Sequence, residues 1–289
     1  MGCSLRRRAP NIAACLAIAL LAAPLERLRG QESDDPDQLF WGYAPMFGTG
    51  VYRQSGGDGV AILRVSPSIE IRDAAAVRRG ANFGVRLLLS FSAGVDHAVG
   101  EGLPPDFSED LEHAAFLPGV ELEFPAERFA LRVRAEYGWG TELSGEETSA
   151  WLSSFGVRSR FTWPDAAGRP ALISGLLWAG YNPEGGEPRS LARLSQGLEF
   201  DVGVPRWQFR GETMHLMPHV LAEWFFEPPE WFELGYEGSR HDEMDWQIGL
   251  AARRELGFEI LGFEFDAVGL AYRFSDRGDG VRLYLNSIF

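Results

Sequence analysis

The sequence predicts an all-β chain that folds into a transmembrane antiparallel β-barrel of about twelve strands, with ten or fourteen strands as alternatives. Three observations support this fold class. Apolar and polar residues alternate over stretches of about ten residues, the length of a tilted strand that crosses a bilayer. After residue 30 no stretch of about eighteen apolar residues occurs, so no membrane-spanning helix is predicted. The last strand, residues 281–289, alternates up to an aromatic final residue, Phe289.

The alternation assigns the strands in chain order. In a clear example, Phe129, Leu131 and Val133 alternate with Arg132 and Arg134. Successive side chains of a strand point to opposite faces, so each stretch has one apolar face and one polar face. The predicted strands cover residues 41–53, 59–72, 81–96, 115–124, 128–140, 151–163, 170–181, 191–204, 207–227, 244–254, 259–274 and 280–289.

The connections between these strands predict an orientation. If Phe289 lies at the periplasmic rim, the shorter connections are periplasmic and the longer, acidic ones face outward, which is the usual asymmetry of such barrels. The predicted periplasmic turns are 73–80, 125–127, 164–169, 205–206 and 255–258, and the predicted outer connections are 97–114, 141–150, 182–190 and 228–243. A tight hairpin at 125–128 would place Phe124 opposite Phe129 and would pair Glu121 with Arg132.

A secreted β-sandwich is the alternative fold, because its strands also alternate. Aromatic residues near the predicted strand ends favour the barrel, since such residues form girdles at the two membrane interfaces. The predicted girdle residues are Tyr137, Trp139, Trp163, Trp178, Tyr181, Tyr272 and Phe289.

The amino terminus has the layout of a secretory signal peptide. Three arginines at 6–8 precede an apolar run at 12–23 that is too short to span a bilayer. We therefore expect residues 1–30 to be a signal peptide cleaved between 23 and 30, residues 31–40 to be a short polar periplasmic segment, and residues 41–289 to be an outer-membrane barrel.

Composition limits the partners of the exported part. The chain has 27 basic and 41 acidic residues, and residues 1–30 contain five arginines, one glutamate and both cysteines. The exported part would have 22 basic and 40 acidic residues, a formal charge of −18, and no disulfide. Such a charge disfavours nucleic acid, whose phosphates bind basic surfaces. The expected partners are outer-membrane lipid, lipopolysaccharide and the barrel-assembly machinery, and the oligomeric state is left open.

Charged residues on the polar faces predict the content of the lumen. Barrels of about twelve strands lie between small filled barrels and open porins. The lumen is therefore either a narrow charged pore or an interior occluded by ion pairs, and the dense mixture of both signs favours occlusion. The lumen candidates are Arg64, Arg86, Glu121, Arg132, Arg134, Glu136, Arg158, Arg160, Glu199, Asp201, Arg273 and Arg282.

No metal, cofactor or catalytic residue is predicted. His215 and His219 have a spacing that could hold zinc on a helix, but Pro218 and the alternation indicate a strand, and a third ligand is not evident. The clustered carboxylates of the outer connections lack the spacing of a dedicated calcium loop, so a solvated surface is the preferred interpretation.

Three residues in the last long connection have the types of a nucleophilic triad. Ser239, His241 and Asp242 are nearly adjacent, however, whereas the members of a working triad converge from separate packed elements. The interpretation as a charged loop is therefore preferred.

The carboxy-terminal region resembles a known family. Residues 263–274, FEFDAVGLAYRF, followed by 280–285, GVRLYL, are similar to the penultimate and final strands of solitary autotransporter-type outer-membrane barrels. Leu283, Leu285 and Phe289 would form the C-terminal assembly signal. Residues 31–46 are too few for an exported passenger, and their prolines are expected to interrupt any helix. The resemblance implies an integral outer-membrane barrel without a known activity, and it transfers no site residue.

Three functions remain open. The first is a non-enzymatic outer-membrane barrel that is structural or forms a narrow charged pore for small solutes. The second is an outer-membrane hydrolase or lipid-modifying enzyme with its site at the outer rim. The third is an adhesion or receptor barrel that uses its acidic outer connections.

Overall fold

A computed structural model describes residues 44–54, 59–72, 83–95, 113–143, 149–184, 188–209, 212–226, 244–260, 263–275 and 278–284. The elements are a helical turn α1 (Ala44–Phe47) and the strand segments β1 (Thr49–Gln54), β2 (Gly59–Val65), β3 (Ser68–Arg72), β4 (Gly84–Val95), β5 (His113–Pro125), β6 (Phe129–Glu142), β7 (Ser149–Thr162), β8 (Pro170–Pro183), β9 (Arg189–Phe200), β10 (Val202–Phe209), β11 (Glu212–Phe226), β12 (Met244–Ile260), β13 (Phe263–Ser275) and β14 (Gly278–Tyr284). None of the helical residues in these ranges forms a helix long and apolar enough to cross a membrane. The expected signal peptide at 1–30, the segment 31–40, and Leu285 and Phe289 lie outside the described residues.

The strand segments form one closed antiparallel barrel of twelve strands. β2 and β3 both pair with β4, and β9 and β10 both pair with β11, so each of these two pairs of segments makes one interrupted strand. Neighbouring strands pair in chain order, β14 pairs with β1, and the pairing of β9 with β11 completes the ring. The prediction of an all-β barrel with about twelve strands is confirmed.

Exposure is inverted relative to a soluble protein. Large apolar side chains cover the outside; Phe91, Phe116, Trp139 and Trp151, for example, pair directly across four neighbouring strands and are 40–50% exposed. Charged side chains are buried inside, where Glu223 is 1% exposed. A β-sandwich would bury the apolar face, so this inversion contradicts the sandwich alternative.

The apolar outer surface has the height of a bilayer core. On β7, Trp151 and Phe161 are both exposed aromatic residues near opposite strand ends. Ten residues span about 33 Å along a strand, which corresponds to about 25 Å along the axis of a barrel whose strands tilt by about 40°. This agrees with the apolar band of transmembrane barrels.

One predicted girdle residue is wrong. Trp139, Trp163, Trp178 and Tyr272 are outward and 39–47% exposed. Tyr181, in contrast, is only 4% exposed, because it lies on the inward face of β8 beside outward Gly180.

The two ends of the barrel carry different connections. We call one end the terminal rim, where the connections are 73–83, 126–128, 163–169, 210–211 and 261–262. We call the opposite end the loop rim, where the connections are 55–58, 96–112, 143–148, 184–188, 227–243 and 276–277. The two longest connections, 96–112 and 227–243, are both at the loop rim, as the predicted asymmetry requires.

Two predicted turns are wrong because the chain passes through them as strand irregularities. Residues 205–206 lie inside β10, where the register with β11 shifts between Val204 and Gln208. Similarly, 255–258 lies inside β12, where the register with β13 shifts between Arg253 and Phe258. Extra residues in one strand of a pair form a β-bulge. In the sequence, such residues interrupt the alternation as a turn does, and they were therefore predicted as turns.

The predicted hairpin register at 125–128 is also wrong, by two residues. The backbone N–H of Ala126 donates to the carbonyl of Phe129 at 2.6 Å, so the loop contains only two residues. Glu121 therefore pairs with Arg134, not with Arg132. Arg132 nevertheless lies diagonally near Glu121, with 4.0 Å between Nε and Oε1.

The predicted first strand, 41–53, begins too early. Residues Ala44–Phe47 form the helical turn α1, and β1 starts at Thr49. Pro45 does not interrupt this turn, although the sequence predicted that it would. It lies in the first turn of a helix, where a backbone N–H has no acceptor within the helix, so proline's lack of an N–H costs no hydrogen bond. Gly48 ends the turn with a φ of 74°, and its N–H donates to the carbonyl of Ala44 at 2.9 Å. This left-handed glycine redirects the chain from the lumen into the wall.

Candidate functional site in the barrel lumen

The helical turn α1 fills the lumen near the loop rim, and we call residues 44–47 the plug. Met46 is 0% exposed and Phe47 is 5% exposed. Tyr52 contacts the ring of Phe47 edge to face at 5.4 Å, and Phe225 stacks on it at 6.3 Å. The remaining buried neighbours of the plug cluster are apolar: Ile62, Ala115, Leu117, Ala150, Leu152, Leu177, Ala179, Tyr181 and Leu191.

Polar contacts hold the plug backbone to the wall. Arg193 on β9 donates from Nη1 to the carbonyl of Met46 at 2.6 Å. Tyr52 on β1 donates its hydroxyl to the carbonyl of Phe47. In a longer helix, backbone N–H groups of the next turn would donate to these carbonyls. The helix has only one turn, so side chains of the barrel wall supply the donors instead.

A first buried ion pair lies on the terminal side of the plug. Arg64 on β2 donates from Nη2 to both carboxylate oxygens of Glu136 on β6, at 2.7 and 2.9 Å. Ser90 and Ser154 also donate their hydroxyls to Glu136. Four hydrogen bonds thus compensate a carboxylate that is removed from water.

A second buried cluster lies on the opposite wall. Arg193 pairs with Glu223 at 2.9 Å, and Arg273 donates from Nε to Asp245 at 2.9 Å. The guanidinium of Arg273 also lies 4.8 Å from the ring centroid of Phe225 and 5.2 Å from that of Phe47. Arg273 therefore joins the charged cluster to the plug through cation–π contacts.

The cluster extends to the last described strand. Arg282 lies 3.9 Å from Glu223 and 5.0 Å from the ring centroid of Tyr284. Gln247 donates its side-chain amide to the hydroxyl of Tyr284. The polar groups of β11, β12, β13 and β14 are thus connected along one wall of the lumen.

A third layer of charge lies nearer the terminal rim. Arg86 is within 3.3 Å of Glu121 and within 3.2 Å of Glu123, and Arg132 is 3.5 Å from Glu123. In this layer each acidic residue has two basic neighbours, which makes a ladder of alternating sign.

The same layer continues on the neighbouring strands. Arg160 binds Glu199 at 2.7 Å. Asp201 lies 2.6 Å from Nδ1 of His215 and 2.9 Å from the guanidinium of Arg253.

Eleven of the twelve lumen candidates lie on inward strand positions, and Asp201 lies between β9 and β10 with its side chain also inside the barrel. All of them except Arg134 and Arg158 take part in the ion pairs described above. Arg134 on β6 lies opposite Glu121 on β5, and it is close enough to Glu136 and Arg64 to interact electrostatically with both. Sequence reasoning missed several inward residues, namely Met46, Phe47, Arg193, His219, Glu223, Asp245, Gln247 and Tyr284. Arg193 could have been found, because it shares the strand face of Glu199.

The two histidines of the predicted strand do not converge. His215 and His219 both point inward from β11. Their spacing of four residues corresponds to about 13 Å along a strand, too far for one metal ion. Among the described residues no group of three or more His, Cys, Asp or Glu side chains could hold a metal ion. Ser239, His241 and Asp242 lie outside the described residues.

In the described residues, the inside of the barrel is filled in layers. The plug layer is filled by buried apolar side chains, and the layers below it are filled by arginine and carboxylate side chains that neutralise one another in pairs. This arrangement favours occlusion over an open channel.

No family model matches this sequence, and no curated protein matches it. Solved structures with a similar fold include two autotransporter domains. The beta domain of the Bordetella autotransporter Brka matches with a TM-score of 0.50 and 10% identity, over 81% of this chain and 92% of that chain. The translocator domain of the autotransporter NalP from Neisseria meningitidis matches with a TM-score of 0.47 and 13% identity, over 80% of this chain and 81% of that chain.

The comparison supports the predicted resemblance at the level of the fold. The barrel, with twelve antiparallel strands closed into a ring, is similar in fold to the Brka beta domain.

Proposed function

We propose that this chain is an integral outer-membrane protein with a non-enzymatic, structural role and a lumen that is closed at rest. The observation that carries the proposal is the plug. Met46 is 0% exposed inside the ring of strands, so water does not reach its side chain. A narrow charged pore would need a continuous wet path through the same cross-section.

The charged layers support closure below the plug. Long arginine and glutamate side chains point into the lumen and pair there at 2.7 to 3.5 Å. Side chains held in pairs fill volume that an open porin would leave to water.

The outer surface supports the membrane location. An apolar band about 25 Å high, bounded by aromatic residues, fits the hydrocarbon core of a bilayer. In the proposed orientation the terminal rim faces the periplasm and the loop rim faces outward. The wall of the barrel would then contact outer-membrane lipid, and the loop rim would contact lipopolysaccharide. The barrel-assembly machinery would recognise the final strand, which includes Leu283.

Planar-bilayer recording tests the proposal. We expect the refolded full-length chain to show no stable conductance steps. The double variant Met46→Ala, Phe47→Ala removes most of the plug's side-chain volume, and we expect it to show small conductance steps, because the charged layers below the plug still narrow the path. The matched control is Phe161→Ala, which removes an exposed aromatic side chain from the outer face and should leave the barrel closed.

Steady conductance by the unaltered chain would contradict the closed lumen. Membrane location is tested separately by fractionation. A heat-modifiable, detergent-requiring protein in the outer-membrane fraction is the expected result, and a soluble periplasmic protein would overturn the location.

A further inference from the structure

The outer surface of the barrel has a polar patch on β7, β8 and β9. Ser159, Ser174 and Gln196 pair in one row across these three strands, so their side chains share one face of the sheet. That face is the outer one, because Leu194 and Leu198, on either side of Gln196 along β9, are 38% and 40% exposed. The side chain of Gln196 is itself exposed. We call Ser159, Ser174 and Gln196 the outer polar row.

Gln196 lies well inside the apolar band and not at its edge. Phe200, the exposed aromatic residue at the terminal-rim end of β9, is four residues away from it. Four residues span about 13 Å along a strand, or about 10 Å along the axis of a barrel whose strands tilt by about 40°. In a band about 25 Å high, this distance places the amide near the middle of the hydrocarbon core.

Other strands carry apolar side chains in the central part of their outer face. On β12 and β13, Ile248, Leu250 and Leu270 are outward and 47–55% exposed. On β4 and β5, Leu87 and Val120 pair on the outer face. The outer polar row therefore interrupts a surface that is apolar at comparable positions elsewhere on the wall.

The amide of Gln196 is unfavourable in hydrocarbon unless its hydrogen bonds are satisfied. A glutamine side chain has two N–H donors and one oxygen acceptor with two lone pairs. The hydroxyl of Ser174, opposite Gln196 on β8, can take part in only some of these bonds. Ala222, opposite Gln196 on β11, offers none from its side chain, and lipid tails offer none either. A polar group of a partner in the membrane would supply the bonds that the wall and the lipid do not.

We propose that the outer polar row is the contact through which two copies of this chain associate in the membrane, about a two-fold axis parallel to the membrane normal. This proposal rests on the membrane location proposed above. Such an axis keeps both copies in the same orientation and brings equivalent residues together at equal depth. A primary amide both donates and accepts, so Gln196 is complementary to Gln196 of the partner subunit.

The shape of the surface around Gln196 also fits a second copy. Its cross-strand neighbours Ser174 and Ala222 have short side chains, and Ala222 is only 8% exposed. Gln196 therefore projects between two low areas, and small residues at a membrane interface let two backbones approach closely. Apolar contact alone would not favour association, because lipid tails are as apolar as leucine. The amide is thus the feature that would select this face of the barrel.

Sedimentation equilibrium of the refolded full-length chain, in detergent micelles matched in density to the solvent, tests the proposal. We expect a species with twice the mass of one chain. Gln196→Leu should raise the dissociation constant of the dimer at least about tenfold, and Gln196→Asn, which keeps the amide, should raise it less. Leu250→Ala on β12 is the control, because it changes an exposed side chain outside the outer polar row and should leave the constant unchanged.

Photo-cross-linking in dimyristoylphosphatidylcholine vesicles locates the contact. With p-benzoylphenylalanine in place of Leu194, beside Gln196, irradiation should give a covalent dimer. With the same group in place of Leu250, it should give no dimer. Both chains keep Gln196, so this experiment answers the question even if Gln196→Leu does not refold.

Three results would overturn the proposal. The first is a monomer in the membrane, which would leave the outer polar row to a different membrane protein. The second is a dimer that Gln196→Leu does not weaken, and the third is equal cross-linking from positions 194 and 250. In each of these cases the membrane location would stand. A soluble periplasmic chain, detected by fractionation, would instead overturn the location and this contact with it.

Discussion

The two halves of the lumen are filled in different ways, although the same strands build both. On β7 the inward residues near the loop rim are Ala150 and Leu152, which are 0% and 1% exposed against the plug cluster. Further along the same face, toward the terminal rim, the inward residues are Arg158 and Arg160. The neighbouring strands repeat this change: Ala115 and Leu117 give way to Glu121 and Glu123 on β5, and Gly140 and Gly138 give way to Arg134 and Arg132 on β6.

The difference shows that the polarity of the inward wall residues matches what lies beside them in the lumen. Apolar inward residues surround the plug, and charged inward residues prevail toward the terminal rim. At Gly138 the neighbouring strand restricts side-chain size, because an added Cβ would lie 1.9 Å from the carbonyl oxygen of Phe116 on β5. The long residues can fill an empty cross-section only in pairs, since an isolated buried charge would be unfavourable.

The largest effect is expected from breaking a buried pair at the boundary between the halves. Glu136→Ala leaves Arg64, which is 8% exposed, without its carboxylate. We expect a loss of about 3–5 kcal/mol in the free energy of unfolding, measured by urea titration in detergent micelles. The control is Asp165→Ala, whose pair with Arg128 is exposed at the terminal rim and should contribute less than about 1 kcal/mol. Equal losses for the two variants would show that burial does not distinguish these pairs.

In the apolar half, a cavity should have a smaller effect that does not depend on salt. Leu152→Ala removes a side chain that is 1% exposed beside the plug, and we expect a loss of about 3 kcal/mol. Leu176→Ala is the control, since Leu176 is 46% exposed on the outer face. A loss for Leu152→Ala that changed with ionic strength would mean that charge, and not packing, stabilises this half.

The terminal half was largely predictable from sequence, because its inward residues are charged and its outward residues are apolar. Arg132 and Arg134 against Leu131 and Val133 reveal the two faces of β6 directly. Register was not predictable to the residue, since it depends on whether the loop after Pro125 has two residues or more.

The inward residues of the half that surrounds the plug could not be identified from the same alternation. Leu152 and Tyr181 face inward, yet their apolar character matches the lipid-facing pattern. Which face such residues occupy depends on the plug, and the plug is a tertiary contact between residues distant in the chain. Arg193, for instance, binds the carbonyl of Met46 at 2.6 Å across 147 positions of sequence. Alternation carries no information about a contact of this kind.

The junction between plug and wall should have a smaller effect again. Gly48→Ala places a side chain at a φ of 74°, where L-residues are strained, and its Cβ would lie 3.0 Å from Nε of Arg282. We expect a loss of about 1–2 kcal/mol. Gly94→Ala is the matched control, because its Cβ would meet nothing closer than 3.7 Å. If both substitutions are equally mild, the left-handed turn at Gly48 is not needed to hold the plug.

The smallest effect is expected in the ladder near the terminal rim. Arg86, Arg132, Glu121 and Glu123 have side chains that are 13–20% exposed, and each acid retains a second basic neighbour when one is removed. A double-mutant cycle of Glu123→Gln and Arg132→Gln should therefore give a coupling free energy below about 1 kcal/mol. We expect this coupling to fall as ionic strength rises, because partly hydrated pairs are screened by salt. A coupling as large as the loss in Glu136→Ala would place the ladder in the same buried environment as Arg64, and the two halves would then differ only in the plug.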